Sequence, residues 1–99
     1  MLGFAMRAGK VIIGTDLVIA AMKAKGDRRA RLVIVSDYAS EGTKKRLGFK
    51  AEFYNVKIVY PDITPEILGD TLGKSFSPVA VAVLDDGFAE QIIKSLAKG

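Results

Sequence analysis

The chain has 99 residues, 49% of them hydrophobic, with no cysteine and no histidine. That suffices for one self-supporting domain over residues 1–99 and leaves out disulfides, thiolate chemistry, the usual zinc sites and an imidazole base. The net charge of +4 is unevenly placed, with 11 Lys/Arg against 4 Asp/Glu in residues 1–50 and 4 against 7 in residues 51–99, a split that favours a polyanionic partner.

In chain order, Met1 to Arg7 reads as the end of a short helix that Ala8-Gly9 closes. Val11, Ile12 and Ile13 form a β-branched run, broken by Gly14. Thr15 and Asp16 offer side-chain oxygens for a helix N-terminus, and Leu17 to Lys25 continues as a helix with Gly26 expected at C′. Leu32 to Val35 is continuously apolar, as in a strand covered on both faces. Asp37 and Ser40 then signal a helix over Glu41 to Tyr54, with Leu47, Ala51 and Tyr54 on one stripe and Phe49 and Phe53 as an i, i+4 pair. Thr43, Lys44, Lys45 and Arg46 crowd the start of that helix, where cations oppose the helix dipole. They read either as a solvated face or as a phosphate-contacting one.

Asn55 is expected at C′, followed by a strand from Val56 to Tyr60 that Pro61 ends. Thr64-Pro65-Glu66 combines an N-cap hydroxyl, proline at N1 and an acid in the first turn, opening a helix to Leu72 that Gly73 stops. The loop Ser75–Pro78 leads to a second fully apolar strand, Val79 to Leu84. Asp85-Asp86-Gly87 opens the last helix, whose apolar stripe is Phe88, Ala89, Ile92, Ile93 and Leu96. Strands alternating with helices predict an α/β fold, a three-layer α/β/α sandwich around a central four-stranded mixed sheet. Ile12, Val33, Val35, Val81 and Val83 are its expected core.

Catalysis finds little support. Gly69-Asp-Thr-Leu-Gly73-Lys74-Ser75 has three residues between its glycines where a P-loop needs four, and it follows a helix where a P-loop follows a strand. Asp85 and Asp86 read as a helix cap and a dipole partner, and Ser36, Ser40 and Thr43 have no base to activate them. No cofactor and no metal site is expected. No apolar run is long enough to span a membrane and no leader pattern opens the chain, so the cytoplasm is the expected compartment.

What remains points to RNA. The free N–H groups of a helix that starts at a glycine turn suit a phosphate. Lys10, Arg28, Arg29, Arg31, Lys44 and Lys45 are the candidate phosphate contacts, and Phe76 offers a ring for stacking. If the sheet is parallel around its first two strands, loops among the Gly14 turn, the Arg28–Arg31 run, the Thr43–Arg46 cluster and Ser75–Pro78 can converge at one edge.

Several stretches taken together are similar to the kink-turn-binding ribosomal protein family of archaea and eukaryotes, closest to its bacterial YlxQ-like branch. They are Leu2-Gly-Phe-Ala-Met-Arg-Ala-Gly-Lys10, Val33 to Asp37, Ser40-Glu-Gly-Thr-Lys-Lys45, Glu52-Phe-Tyr-Asn-Val56 and Leu68-Gly-Asp-Thr-Leu-Gly-Lys74. The resemblance covers nearly the whole chain and implies the sandwich fold and RNA binding without catalysis. The family reads RNA through Gly-Thr-Asn-Glu-x-x-Lys, or a Lys-Gln variant of its middle pair. Gly14 and Thr15 match that pattern, whereas Asp16, Leu17 and Ala20 replace its polar and basic residues. The second contact loop is shortened to Ser75–Pro78. The resemblance thus implies ribosomal or other structured RNA as partner, with ribosomal or translation/transcription proteins nearby, while the departures argue against kink-turn specificity. The competing reading is a protein-interaction module that kept the fold and lost the RNA site.

Overall fold

The computed structural model describes the backbone of residues 2–98 and the side chains of residues 2–96; Met1, assigned to the first helix from sequence, lies outside them. The elements in order are α1 (Leu2–Arg7), β1 (Val11–Ile13), α2 (Thr15–Lys23), β2 (Leu32–Val35), α3 (Glu41–Phe53), β3 (Lys57–Val59), α4 (Pro65–Thr71), β4 (Ala80–Val83) and α5 (Asp86–Lys98). The four strands form one mixed sheet in the order β1-β4-β2-β3. β4 is antiparallel to both β1 and β2, with Ala82 opposite Ile12 on one side and Val33 on the other, and β3 is parallel to β2.

The continuous apolar runs become the two central strands, and every residue of β2 and β4 is buried. Their side chains alternate between two cores. Val33, Val35, Ala80 and Ala82 face α2 and α3, where they meet Val18, Met22, Leu47 and Ala51. Leu32, Ile34, Val81 and Val83 face the opposite layer, against Ala5, Leu68, Leu72, Ala89 and Ile92 of α1, α4 and α5. Each fully buried aliphatic side chain contributes about 1.5–3 kcal/mol. Val33, Val35, Val81 and Val83 are core residues as expected, but Ile12 is only half-buried. The reason is position: β1 is an edge strand, and only one of its sides is covered by β4.

Helix ends follow local chemistry closely. α1, α3 and α4 each stop in the same paired bond pattern, Lys10 N–H to Ala5 O with Gly9 N–H to Met6 O, and likewise Val56 to Ala51 with Asn55 to Glu52, and Lys74 to Gly69 with Gly73 to Asp70. Gly9, Asn55 and Gly73 supply the positive φ that this helix stop requires. Gly73 and Lys74 are thereby accounted for without a phosphate. Gly69 has another task, because a Cβ there would overlap the Phe76 carbonyl oxygen, so its absence lets the 74–78 loop lie on α4. Gly26 differs from expectation. α2 ends at Lys23, Ala24 and Lys25 are extended, and Gly26 opens a separate 3₁₀ turn, Gly26–Arg28.

Ser36, just past β2, is fully buried. Its hydroxyl donates to Ile63 O at 2.6 Å and accepts from Tyr38 N–H at 3.2 Å, tying the end of β2 to the segment before α4. Removing it takes a partner from a part-buried carbonyl and from an amide. Ser36→Ala is therefore expected to lower stability by about 1–3 kcal/mol in urea unfolding, and an unchanged midpoint would show that the bond carries no weight.

Candidate nucleic-acid interface

β1, β2 and β3 all point the same way, so their C-terminal ends and the start of β4 share one end of the sheet. That end holds the Gly14 turn, the 36–40 loop with the first turn of α3, and the Ser75–Pro78 loop. Gly14 N–H donates to Ala80 O at 3.0 Å and Ser36 N–H to Val79 O at 2.8 Å, which places the 75–78 loop between the other two.

Gly14 is the N-cap of α2, at φ 107° and ψ 141°. Open space surrounds the position a Cβ would take, so glycine is required by backbone conformation rather than by crowding. Thr15 and Asp16 were expected to cap this helix, but they lie within it as its first two residues, and α2 has no side-chain cap. The starts of α3, α4 and α5 are closed: Ser40 accepts from Thr43 N–H, Thr64 from Ile67 N–H and Asp85 from Phe88 N–H. Among the described residues the N–H groups of Thr15, Asp16 and Leu17 have no acceptor, and they open at the positive end of the α2 dipole.

The Asp16 carboxylate does not sit buried beneath this opening. Its side chain is 85% exposed and accepts from Arg46 Nη2 at 2.9 Å, an ion pair that joins the start of α2 to α3. Leu17 is exposed beside it. Lys44 is drawn inward, 3.2 Å from both Asp37 Oδ1 and Glu41 Oε1, with its side chain only 19% exposed. Hydrogen bonds to Asp37 and Glu41 raise its pKa. The stability that this raised pKa contributes is present at neutral pH and fades as pH rises through the raised value. Of the cations crowded at the start of α3, Lys44 and Arg46 thus have internal carboxylate partners, which neither reading of the sequence anticipated. Lys45 stays exposed. Phe76 projects half-exposed from its loop and Tyr38 is exposed nearby, its hydroxyl pKa raised by a hydrogen bond to Asp62. Tyr38, and the pairing of Arg46, escaped sequence reasoning because their partners, Asp62 and Asp16, are distant in the chain and no local pattern announces them.

The basic clusters do not all share this end. Lys10 precedes β1 and Arg31 precedes β2, at the opposite end of the sheet, where Arg31 N–H bonds Val83 O and Lys10 O accepts from Leu84 N–H. This end is of mixed sign: Arg31 lies 3.9 Å from Asp86 and donates to Gly26 O. Arg29 is structural. Its guanidinium donates to Met22 O at 3.2 Å and Tyr54 O at 2.7 Å, stapling the ends of α2 and α3 together and placing a cation at two helix C-termini. Arg28 is exposed, with neither of these bonds. Arg29→Ala is expected to lower stability by about 1.5–3 kcal/mol, the range for hydrogen bonds to a charged group, while Arg28→Ala stays within about 0.5 kcal/mol. Equal effects in thermal unfolding would contradict this division.

Comparison with known proteins agrees with the fold. Residues 1–93 match the Ribosomal protein L7Ae/L30e/S12e/Gadd45 family. The chain is 39% identical over 97 residues to the RNA-binding protein YlxQ of Bacillus subtilis, covering 97% of this chain and 91% of that one. It is 35% identical over 99 residues to the RNA-binding protein YlxQ of Enterococcus faecium, covering 100% of this chain and 89% of the relative. A solved Bacillus halodurans protein of unknown function superposes with a TM-score of 0.86 at 29% identity, covering 97% of this chain and 92% of the other. The Giardia lamblia 15.5kD RNA binding protein superposes with a TM-score of 0.76 over 97% of this chain and 78% of its own, and at 14% identity it shows the shared fold alone. The two-faced sheet, the glycine-capped second helix and these matches lead to one assignment: the chain belongs to the Ribosomal protein L7Ae/L30e/S12e/Gadd45 family.

Proposed function

We propose that this chain is a small, non-catalytic RNA-binding protein of the cytoplasm that holds ribosomal or other structured RNA against the Gly14 end of its sheet. The observation that carries the reading is the uncapped start of α2, where three outward N–H groups meet the helix dipole at the end of the sheet that also carries Phe76 and Tyr38. Such an arrangement accepts a phosphate through the backbone and leaves rings free for bases that are splayed out of a helix. The relatives named as RNA-binding proteins support it and favour RNA over a protein-interaction module. Thr15 and Gly14 form the cradle, and Arg46 holds the Asp16 carboxylate to one side. Lys10, Arg28 and Arg31 lie at the far end of the sheet and act on RNA only as long-range attraction, screened over about 8–10 Å at physiological salt.

Discrimination is the weaker half of the site. Leu17 offers no hydrogen bond to a base edge, Asp16 is held by Arg46, and Ala20 carries no charge one turn further along α2. A standard kink-turn is therefore expected to bind only weakly better than the same RNA lacking its sheared base pairs. Asp16→Asn, Leu17→Glu and Ala20→Lys together should widen that gap by about 1–3 kcal/mol, by analogy with one good set of base contacts in DNA. Gel-shift titrations of both proteins against both RNAs measure it. Tight, discriminating binding by the unmodified chain would overturn the weak-specificity reading, and an unchanged gap in the triple variant would move base reading away from these positions.

A further inference from the structure

The outer face of α3 carries two phenylalanines that the core does not use. Phe49 is 70% exposed and Phe53 78% exposed. Their i, i+4 spacing puts them on one stripe of the helix, opposite the buried Leu47 and Ala51. Phe53 is steadied by an edge-to-face contact with Tyr54, ring centroids 4.9 Å apart, which leaves the outward surface of its ring open. Phe49 borders a groove of about 630 Å³ between α3 and the β3 edge, shared with Lys45, Gly48, Glu52 and Tyr60. Gly48 matters here, since a Cβ would sit 3.0 Å from the Tyr60 hydroxyl, so its absence lets that ring lie against the helix.

Charge chooses among occupants. Lys45 and Arg46 precede Phe49 by one turn, and Lys50 lies between the rings. Among the described residues Lys45 and Lys50 have no carboxylate partner, while Arg46 is held by Asp16. Of the nearby acids Glu41 is taken by Lys44, which leaves Glu52 alone. Exposed rings interleaved with spare cations suit a flexible polyanion whose units have aromatic faces. Arg46 also connects this stripe to the start of α2, because its guanidinium is bound to Asp16 there, and Phe53 lies about 10 Å further along the helix at 1.5 Å per residue.

We propose that the outer face of α3 is a stacking platform on which Phe49 and Phe53 hold bases of a single-stranded segment, flanked by Lys45 and Lys50, as it leaves the RNA bound at the Gly14 end. The proposal extends that RNA-binding reading and rests on it for where the segment starts. Stacking asks for a ring and not for a sequence, so the platform tolerates any base.

The test compares the unmodified chain with a Phe49→Leu/Phe53→Leu pair and a Phe49→Tyr/Phe53→Tyr pair. Both pairs are surface changes, and their melting curves confirm folding. The probes are a blunt kink-turn duplex, the same duplex with an oligouridine tail on either strand end, and free oligouridine, read by fluorescence anisotropy. For the unmodified chain, one of the tails is expected to strengthen binding about tenfold, the effect of stacking roughly one base. The leucine pair loses that gain and binds the blunt duplex as before, and the tyrosine pair keeps it. The proposal is overturned if neither tail helps the unmodified chain, or if the tyrosine pair loses the gain. It is overturned equally if the leucine pair retains the gain, which would assign the face to an apolar protein partner. Failure to bind the blunt duplex at all would sink the Gly14-end reading instead. Free oligouridine then decides the platform alone, upheld by binding that survives in the tyrosine pair and disappears in the leucine pair, and overturned by any other pattern.

Discussion

Strand β4 is hydrogen-bonded on both sides, to β1 and to β2, and both of its faces are buried. β1 and β2 do not touch, so without Ala80–Val83 the sheet would fall into a lone edge strand and a two-stranded parallel pair. The faces of β4 also set the layers. Ala80 and Ala82 are small and let α2 approach the sheet, while Val81 and Val83 fill the opposite core. Because β4 runs against its neighbours, the loop that feeds it arrives at the same end as the Gly14 turn. The Gly14 N–H to Ala80 O bond fixes that meeting. The candidate interface is therefore a consequence of strand order. Gly69 secures the same loop from the other layer, by leaving room for the Phe76 backbone on α4.

Helix capping divides this fold into closed and open ends. Ser40, Thr64 and Asp85 each satisfy an amide at the start of α3, α4 and α5, and Gly9, Asn55 and Gly73 close the ends of α1, α3 and α4. α2 alone among the helices with described caps begins on a residue with no side chain, leaving donors that a folded chain usually satisfies internally. The Arg46–Asp16 ion pair holds the neighbouring carboxylate away without covering those donors. At the other end of the same helix, Arg29 covers the carbonyls of Met22 and Tyr54. One basic residue closes this pole of the helix, and the opposite pole stays open.

The layer order, the four strands and most helix bounds were legible in the sequence because they follow from local signals: continuous apolar runs, an Asn at C′, a Thr-Pro-Glu start. Edge status was not legible. Val11–Ile13 is as apolar as a central strand, and only the sheet order shows why Ile12 is half-buried. Side-chain partners far apart in sequence were equally hidden, so Arg29 and Arg31 looked like phosphate contacts and Arg46 looked unpartnered. Gly14 and Phe76 stood out because a glycine turn and a lone aromatic in a loop carry their own meaning, while the i, i+4 spacing of Phe49 and Phe53 left open the outward face that they occupy. Helical period locates a stripe but does not say which stripe the rest of the chain covers.

The central claim is that RNA meets the protein at the Gly14 end. Amide chemical-shift mapping of the ¹⁵N-labelled chain during titration with a structured RNA tests it most directly. The account predicts the largest shifts at the amides of Thr15, Asp16, Leu17 and Phe76. Shifts concentrated at Lys10, Arg28, Arg31 and Asp86, with the start of α2 unmoved, would contradict it.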